Sequence, residues 1–280
     1  MSDTSKVWFI TGSSRGFGAE LVRAVLANGD RVVATARQPE QLRALVEGHE
    51  DRARVFGLDV TDADAAVAAV EFAVAEFGGI DVVVNNAGYA NSAPIEETEP
   101  ADFRAQIEAN LFGVVNVTRA ALPVLRAQRS GVFVQFSSIG GRVGGTPGLG
   151  AYQTAKFAVE GFSEVLANEV AAFGLKVIIV EPGAFRTDWM GSSMTMHEPG
   201  PDYRDAFAFI HELRRTANGS QQGDPARAAR IIIGVVEAPE PPRRLLLGSD
   251  AVELALAGGA QRDEEARQWA TVSRSADFPE

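Results

Sequence analysis

Short apolar runs alternate with longer amphipathic stretches along most of the chain. Val7-Trp8-Phe9-Ile10, residues 31–37, 54–59, 80–85, 131–136 and 176–181 are rich in β-branched and aromatic residues and read as strands. Between them, helical spacing covers residues 19–27, 62–77, about 101–129 and a stretch around Tyr152 that runs to Phe173. Glycines close several of these helices, at Asn28-Gly29, Gly78-Gly79 and Gly174. Thr98 and Pro100 predict the start of the long helix, and Pro123 inside it predicts a bend or a division. The strands are apolar almost throughout, not every second residue, so both of their faces are covered. Strand and helix in alternation then predict an α/β fold: a doubly wound parallel sheet of about seven strands with helices on both faces. Arg244-Leu245-Leu246-Leu247 supplies the last strand.

The pattern weakens after Pro182-Gly183. Residues 188–223 hold Trp189, Met190, Met194, Met196, Pro199-Gly200-Pro201, Phe207 and Phe209, and read as a lid inserted before the next helix, which Asp224-Pro225 opens. A charged helix over about 261–272 is expected to be peripheral. No Ser/Gly/Pro-rich linker divides the chain, so one domain over 1–280 is expected.

Composition narrows the function. The 280 residues are 46% hydrophobic, enough for one large core. A formal charge of −11 disfavours partners that carry phosphate backbones or anionic lipid. With no cysteine, thiolate nucleophiles and thiolate metal sites are excluded, and His49, His197 and His211 match no metal-ligand spacing. The N-terminus is short and polar, and no apolar run is long enough to span a membrane, so a cytoplasmic location is expected.

The first strand runs into Thr11-Gly12-Ser13-Ser14-Arg15-Gly16-Phe17-Gly18 and then a helix. Glycines at such a turn allow positive φ, close backbone approach and tight helix packing, while the helix start presents free N–H groups to an anion. Gly12-Ser13-Ser14-Arg15-Gly16 also fits the G-x-S-x-G elbow of hydrolases, with Asp188 and His211 following in triad order. Gly18 is superfluous in an elbow but expected in a dinucleotide turn. Farther on, Tyr152 and Lys156 stand four residues apart on one helix face, with Ser137-Ser138 upstream at the end of a strand.

Taken in order, these motifs resemble the short-chain dehydrogenase/reductase family in its Thr-Gly-x-x-x-Gly-x-Gly branch. The resemblance spans about 6–248. It rests on the glycine turn, Asp59, Asn85-Asn86-Ala87-Gly88, Asn110, Ser138 with Tyr152 and Lys156, and Pro182-Gly183 with Thr187. It implies an oxidoreductase that moves a hydride between a nicotinamide and a carbonyl or alcohol, with Asn110, Ser138, Tyr152 and Lys156 as the catalytic set. Ser138 lies fourteen residues before Tyr152, one more than in many relatives, which leaves Ser137 as a competing candidate. The cofactor site implied comprises Gly12, Ser14, Arg15, Gly16, Phe17 and Gly18 at the phosphates, Asp59 and Val60 at the adenine, Asn86, Ala87 and Gly88 at its ribose, and Pro182, Gly183 and Thr187 at the nicotinamide amide. Tyr152 and Lys156 complete it, the lysine on the nicotinamide ribose. Asp59 is alternatively a cap for the helix that starts near Asp62. Dimers or tetramers built on the helices of Asn110 and Tyr152 are implied by the same resemblance.

A phenol near pKa 10 is a poor base at neutral pH, and an ammonium one helical turn away is expected to lower that value. Tyr152 then serves as acid for carbonyl reduction and as base for alcohol oxidation. The second strand ends in Thr35-Ala36-Arg37, without the carboxylate that would hold a ribose 2′-hydroxyl. Arg15 and Arg37 suit a 2′-phosphate instead, which favours NADP(H) over NAD(H). Trp189, the methionines, Phe207 and Phe209, with Tyr89, Ala90 and Phe185, are candidate walls of an apolar substrate pocket. A non-catalytic NADP(H)-binding regulator is the alternative, which the intact catalytic set disfavours.

Overall fold

The computed structural model describes residues 5–190, 194–217 and 219–278. In chain order it contains β1 (Val7–Ile10), α1 (Gly16–Ala27), β2 (Arg31–Ala36), α2 (Arg43–Val46), β3 (Ala53–Gly57), α3 (Ala63–Phe77), β4 (Val82–Asn85) and β5 (Ala90–Ser92). Then come α4 (Pro100–Ile107), α5 (Gly113–Gln128), β6 (Gly131–Phe136), α6 (Ile139–Arg142), α7 (Gly150–Val170) and β7 (Leu175–Pro182). β8 (Met194–Met196), α8 (Arg204–Ala217), α9 (Pro225–Glu237), β9 (Arg244–Leu247) and α10 (Ser249–Arg274) complete it.

Seven strands form one sheet in the order β3-β2-β1-β4-β6-β7-β9, every pair parallel. The side-chain alternation of each strand divides its apolar residues between two cores. Trp8, Ile10, Val32, Ala34, Val82, Val84, Val134 and Val180 face the layer of α1 and α9. Phe9, Val33, Val83, Phe133 and Val177 face that of α3, α5 and α7. Trp8, Phe9 and Ile10 are all fully buried, each worth about 2–3 kcal/mol of transfer free energy. This double burial is why the strands read as unbroken apolar runs. Local chemistry sets several helix ends. Asp62 accepts a hydrogen bond from the Ala65 N–H at 2.9 Å and starts α3, and Asp224 accepts from Ala226 and Arg227 at the start of α9.

Strand order reverses between β1 and β4. The Thr11 N–H donates to the Val84 carbonyl at 3.0 Å, so the loops after both strands leave the same sheet end side by side. Such a reversal opens a crevice at the C-terminal ends of the strands.

Some expectations need correction. The long helix is interrupted, but at a π-helical turn over Glu108–Phe112; Pro123 lies inside α5 without ending it. Thr98 does not cap α4: Glu99 holds that position, and the Thr98 hydroxyl donates back to the Pro94 carbonyl. The C-terminal helix starts twelve residues before the expected Gln261, at Ser249, because Ala251 and Ala255, one turn apart, are buried against the body. Gly258 lies within it, where a Cβ would come 2.8 Å from Val143. The segment after β7 contains β8, which pairs in parallel with β5, and α8. Its body contacts include Gly200 N–H on the Glu97 carboxylate and the Tyr203 hydroxyl donating to Glu96 at 2.5 Å. No helix among the described residues is long and apolar enough to cross a membrane.

Candidate active site

At the crevice the glycine turn is held by its neighbours. The Thr11 hydroxyl donates to the Val84 carbonyl and accepts from the N–H groups of Asn86 and Ala87 at 3.0 and 3.1 Å. The Asn86 amide donates to the carbonyls of Thr11 and Gly12, both at 3.0 Å. The Asn86 side chain is therefore engaged in shaping the turn. Gly12 sits at φ +65°, and a Cβ there would stand 2.7 Å from the Ala87 Cα. A Cβ on Gly18 would reach 2.3 Å from the Gly12 carbonyl oxygen, so α1 starts directly beneath the turn only because that residue has no side chain.

An open cavity of about 500 Å³ adjoins the turn, lined by Ser14, Arg15, Gly16, Arg23, Arg186 and Thr187 among others. Thr187 reaches back from the far loop, its Cβ 3.4 Å from the place of a Cβ on Gly16. Phe17 turns inward, with ring centroids 5.4 Å from Phe136 and 4.9 Å from Phe185. Phe185 thus packs on the α1 side of the sheet and does not wall the space at Tyr152. Arg15 and Arg37 are exposed. Asp59 does not cap α3; its carboxylate closes its own turn by accepting from the Thr61 N–H and hydroxyl. Val60 is buried against Gly113, and its carbonyl accepts from Asn116. Beyond β7, the Gly183 N–H donates to the Leu247 carbonyl at 2.9 Å, and Asp250 at the head of α10 accepts from Ala184 at 2.7 Å. The loop of Pro182 and Gly183 is thereby fixed to β9 and α10.

Across the crevice, α7 carries Tyr152 and Lys156 on its buried face. The Lys156 ammonium donates to the Phe136 carbonyl at the end of β6, at 2.7 Å, and lies 5.7 Å from the Tyr152 ring centroid. Ser138 starts α6, its Oγ accepting from the Gly140 N–H at 3.1 Å, and its hydroxyl stands beside the Tyr152 phenol. Ser137 is buried and its Oγ faces the carbonyls of Ser138 and Lys156, so the hydroxyl that faces Tyr152 is that of Ser138.

Asn110 sits in the π-helical turn, fully buried. Its amide nitrogen donates to the carbonyls of Tyr89 and Gln106, both at 2.8 Å, while Oδ1 has no partner. Gly88 passes over it: a Cβ there would lie 2.4 Å from Asn110 Oδ1 and 3.7 Å from Lys156 Nζ. The structure therefore gathers Asn110, Ser138, Tyr152, Lys156 and Gly88 around one space at the sheet end.

The electrostatics of the pair differ from the expectation. Burial pushes the Tyr152 phenol up to about 12, against a smaller lowering by Ser138, and pulls Lys156 down to about 8, against a smaller raising by Glu160. Both charged forms lose hydration here, and the ammonium's hydrogen bond is to the neutral Phe136 carbonyl.

Of the pocket candidates, Trp189, Ala90 and Met194 gather at Tyr152 with Leu149, which sequence reasoning passed over. The Trp189 ring centroid lies 5.2 Å from that of Tyr152. Phe207 is buried but packs within the lid against Tyr203 and His211, and Met196 is exposed. The side chains of Met190 and Phe209 lie outside the described residues. Ser14 and Asp188 line the same cavity, whereas His211 stands edge-on to Phe207 at 5.7 Å; no hydrolase triad is assembled.

Comparison with known proteins accords with this geometry. A family model described as short chain dehydrogenase matches residues 6–198. Oxidoreductase BOA17 of Botryotinia fuckeliana is 50% identical over 271 residues, 96% of this chain and 98% of its own. A short-chain dehydrogenase from Streptomyces avermitilis superposes with a TM-score of 0.92 at 41% identity, over 99% of this chain and all of that one. An alcohol dehydrogenase from the archaeon Thermococcus sibiricus, complexed with 5-hydroxy-NADP, gives a TM-score of 0.71 at 25% identity, over 87% of this chain and 96% of the other. By its glycine turn, the half-buried Ser138 beside the buried tyrosine and lysine, and these matches over most of its length, the chain belongs to the short-chain dehydrogenase family.

Proposed function

We propose that this protein is an NADP(H)-dependent oxidoreductase that interconverts a carbonyl and an alcohol, with an apolar substrate held against Trp189, Leu149, Ala90 and Met194. The observation that carries the reading is the convergence of the Tyr152 phenol, the Ser138 hydroxyl and the Lys156 ammonium beside a glycine turn at the reversal of strand order. The residues fit a dinucleotide. Gly12 and Gly18 let the turn pack closely on Ala87 and on the start of α1, Arg15 and Arg37 are exposed to a 2′-phosphate, and Asn110 Oδ1 and Lys156 Nζ both lie beside Gly88. A nicotinamide bound there supplies the hydride for the carbonyl carbon, or takes it back when the alcohol is oxidised.

The chain itself handles the proton. Ser138 donates a hydrogen bond to the substrate oxygen and stabilises the charge that develops on it. Tyr152 gives its phenolic proton to that oxygen as the alcohol forms. Lys156 holds positive charge beside the phenolate left behind, and Asn110 Oδ1 holds the water through which Tyr152 regains a proton. The protein acts in the cytoplasm as a dimer or tetramer joined along α5 and α7, where Phe157 and Val165 are exposed.

A panel of ketones and aldehydes, followed by the absorbance of NADPH, tests the reading. Tyr152→Phe is expected to lower kcat by about a thousandfold or more, within the range for a lost general acid, with NADPH binding retained. Wild-type turnover in that variant would refute the assignment.

A further inference from the structure

Behind Lys156, away from the substrate space, lies a cluster of charges that the proton transfer does not use. Glu160 is one helical turn farther along α7 on its buried face, 6% exposed. Arg244 of β9 donates to Glu160 Oε2 from Nε at 3.1 Å and from Nη2 at 2.9 Å. The same guanidinium meets Glu164 of α7 at 2.6 Å and Glu181 of β7 at 3.0 Å. Arg142, at the end of the short helix that Ser138 starts, reaches the fully buried Glu181 at 3.4 Å. Three carboxylates share two guanidiniums, and burial together with the neighbouring Glu160 pushes the Glu181 carboxyl up. Glu160 Oε1 has no hydrogen-bond partner. The remaining charge in the neighbourhood is the Lys156 ammonium, itself 4% exposed and bonded only to a neutral carbonyl.

We propose that Glu160 is a positioning residue for the catalytic centre: its carboxylate, locked by Arg244, supplies the negative field that keeps the Lys156 ammonium charged inside the protein. The groups that face Lys156 support this. Tyr152 on α7 is neutral and Phe136 of β6 offers only a dipole. Glu164, Glu181, Arg142 and Arg244 act through the cluster. Glu160 is the nearest carboxylate in sequence and the charge that opposes the lowering of Lys156 by burial. The cluster also joins α6, α7, β7 and β9, the elements that carry Ser138, Tyr152 with Lys156, and Pro182. The role rests on the oxidoreductase reading, but its primary test does not require turnover.

The chain has three lysines, Lys6, Lys156 and Lys176, so protein labelled with ¹³C at lysine Cε gives a readable titration, assigned with Lys156→Arg. Glu160→Gln is expected to lower the Lys156 midpoint by ~0.5–1 pH unit, and Glu160→Asp, which keeps the charge, to restore most of it. A purely structural role predicts the reverse order, since glutamine preserves the shape. If Glu160→Gln does not fold, Glu164→Gln, at a half-exposed carboxylate, is expected to move the midpoint the same way by less. An unmoved midpoint in the folded variant overturns the proposal. The alkaline limb of kcat/KM for carbonyl reduction should follow the NMR midpoint. A shifted midpoint without turnover on any carbonyl would refute the oxidoreductase reading and leave the Glu160 assignment standing.

Discussion

Replacing Lys156 with methionine should make the protein inactive and more stable. The lysine carries its charge in a site where burial lowers the pKa from the ordinary 10.5 to about 8. Holding the ammonium there costs the fold about 3 kcal/mol at neutral pH, from about 1.36 kcal/mol per pH unit. Methionine fills similar volume without charge but loses the hydrogen bond to the Phe136 carbonyl, worth about 1 kcal/mol. A net gain of about 2 kcal/mol remains. The sign with pH follows from the depressed folded pKa. Between about pH 8 and 10.5 the unfolded chain binds more protons than the folded one, so wild-type stability rises through that window and the full penalty applies below it. The advantage of the variant should therefore shrink by about 2 kcal/mol between pH 7 and about pH 9.5. Tyr152, raised from 10 to about 12, costs stability only as pH climbs from 10 to 12, above this range. Urea unfolding of both proteins at the two pH values measures the difference. A variant less stable than wild type at pH 7, or an advantage that does not change with pH, would show that the lysine is not strained by burial.

Three further outcomes are expected. Gly12→Ala puts a Cβ at positive φ and 2.7 Å from the Ala87 backbone, so stability should fall by about 2 kcal/mol or more and NADPH affinity at least tenfold by fluorescence titration; affinity within twofold of wild type contradicts the role of the turn. Arg15→Ala with Arg37→Ala should lower kcat/KM with NADPH by about ten- to a hundredfold, as loss of charge-assisted bonds to a phosphate implies, and leave NADH nearly unaffected. Equal loss with both cofactors would place these arginines elsewhere. Trp189→Ala removes the ring that packs at a tilt against Tyr152 and should raise KM for bulky apolar carbonyls about tenfold, with a smaller effect on the smallest ketones; an unchanged KM ratio would move the substrate away from this wall.

The sheet was legible because its strands are buried on both faces, and that demand leaves unbroken apolar runs such as Val82-Val83-Val84. The glycine turn was legible because backbone crowding at Gly12 and Gly18 admits no side chain. The break in the long helix was misplaced. A proline is a visible local signal, whereas the π-helical turn at Asn110 arises as its amide bonds the carbonyls of Tyr89 and Gln106, and Tyr89 is distant in sequence. The head of α10 was missed for a similar reason: Ala251 and Ala255 have weak apolar character, and their burial depends on the body beneath them.

Local residue chemistry thus determined the strand and helix order, the phosphate turn and the spacing of Tyr152 from Lys156, because each leaves a mark within a few positions of itself. Tertiary structure decided what depends on who lies across the fold. It set Ser138, not Ser137, beside the phenol, since β6 ends with one hydroxyl turned to α7 backbone and the next to the crevice. It moved Phe185 to the far face of the sheet and brought Trp189 onto Tyr152. It also reversed the expected electrostatics of the pair, because a charge next to a phenol lowers its pKa only when burial does not cost more, and burial is a property of the packed molecule alone.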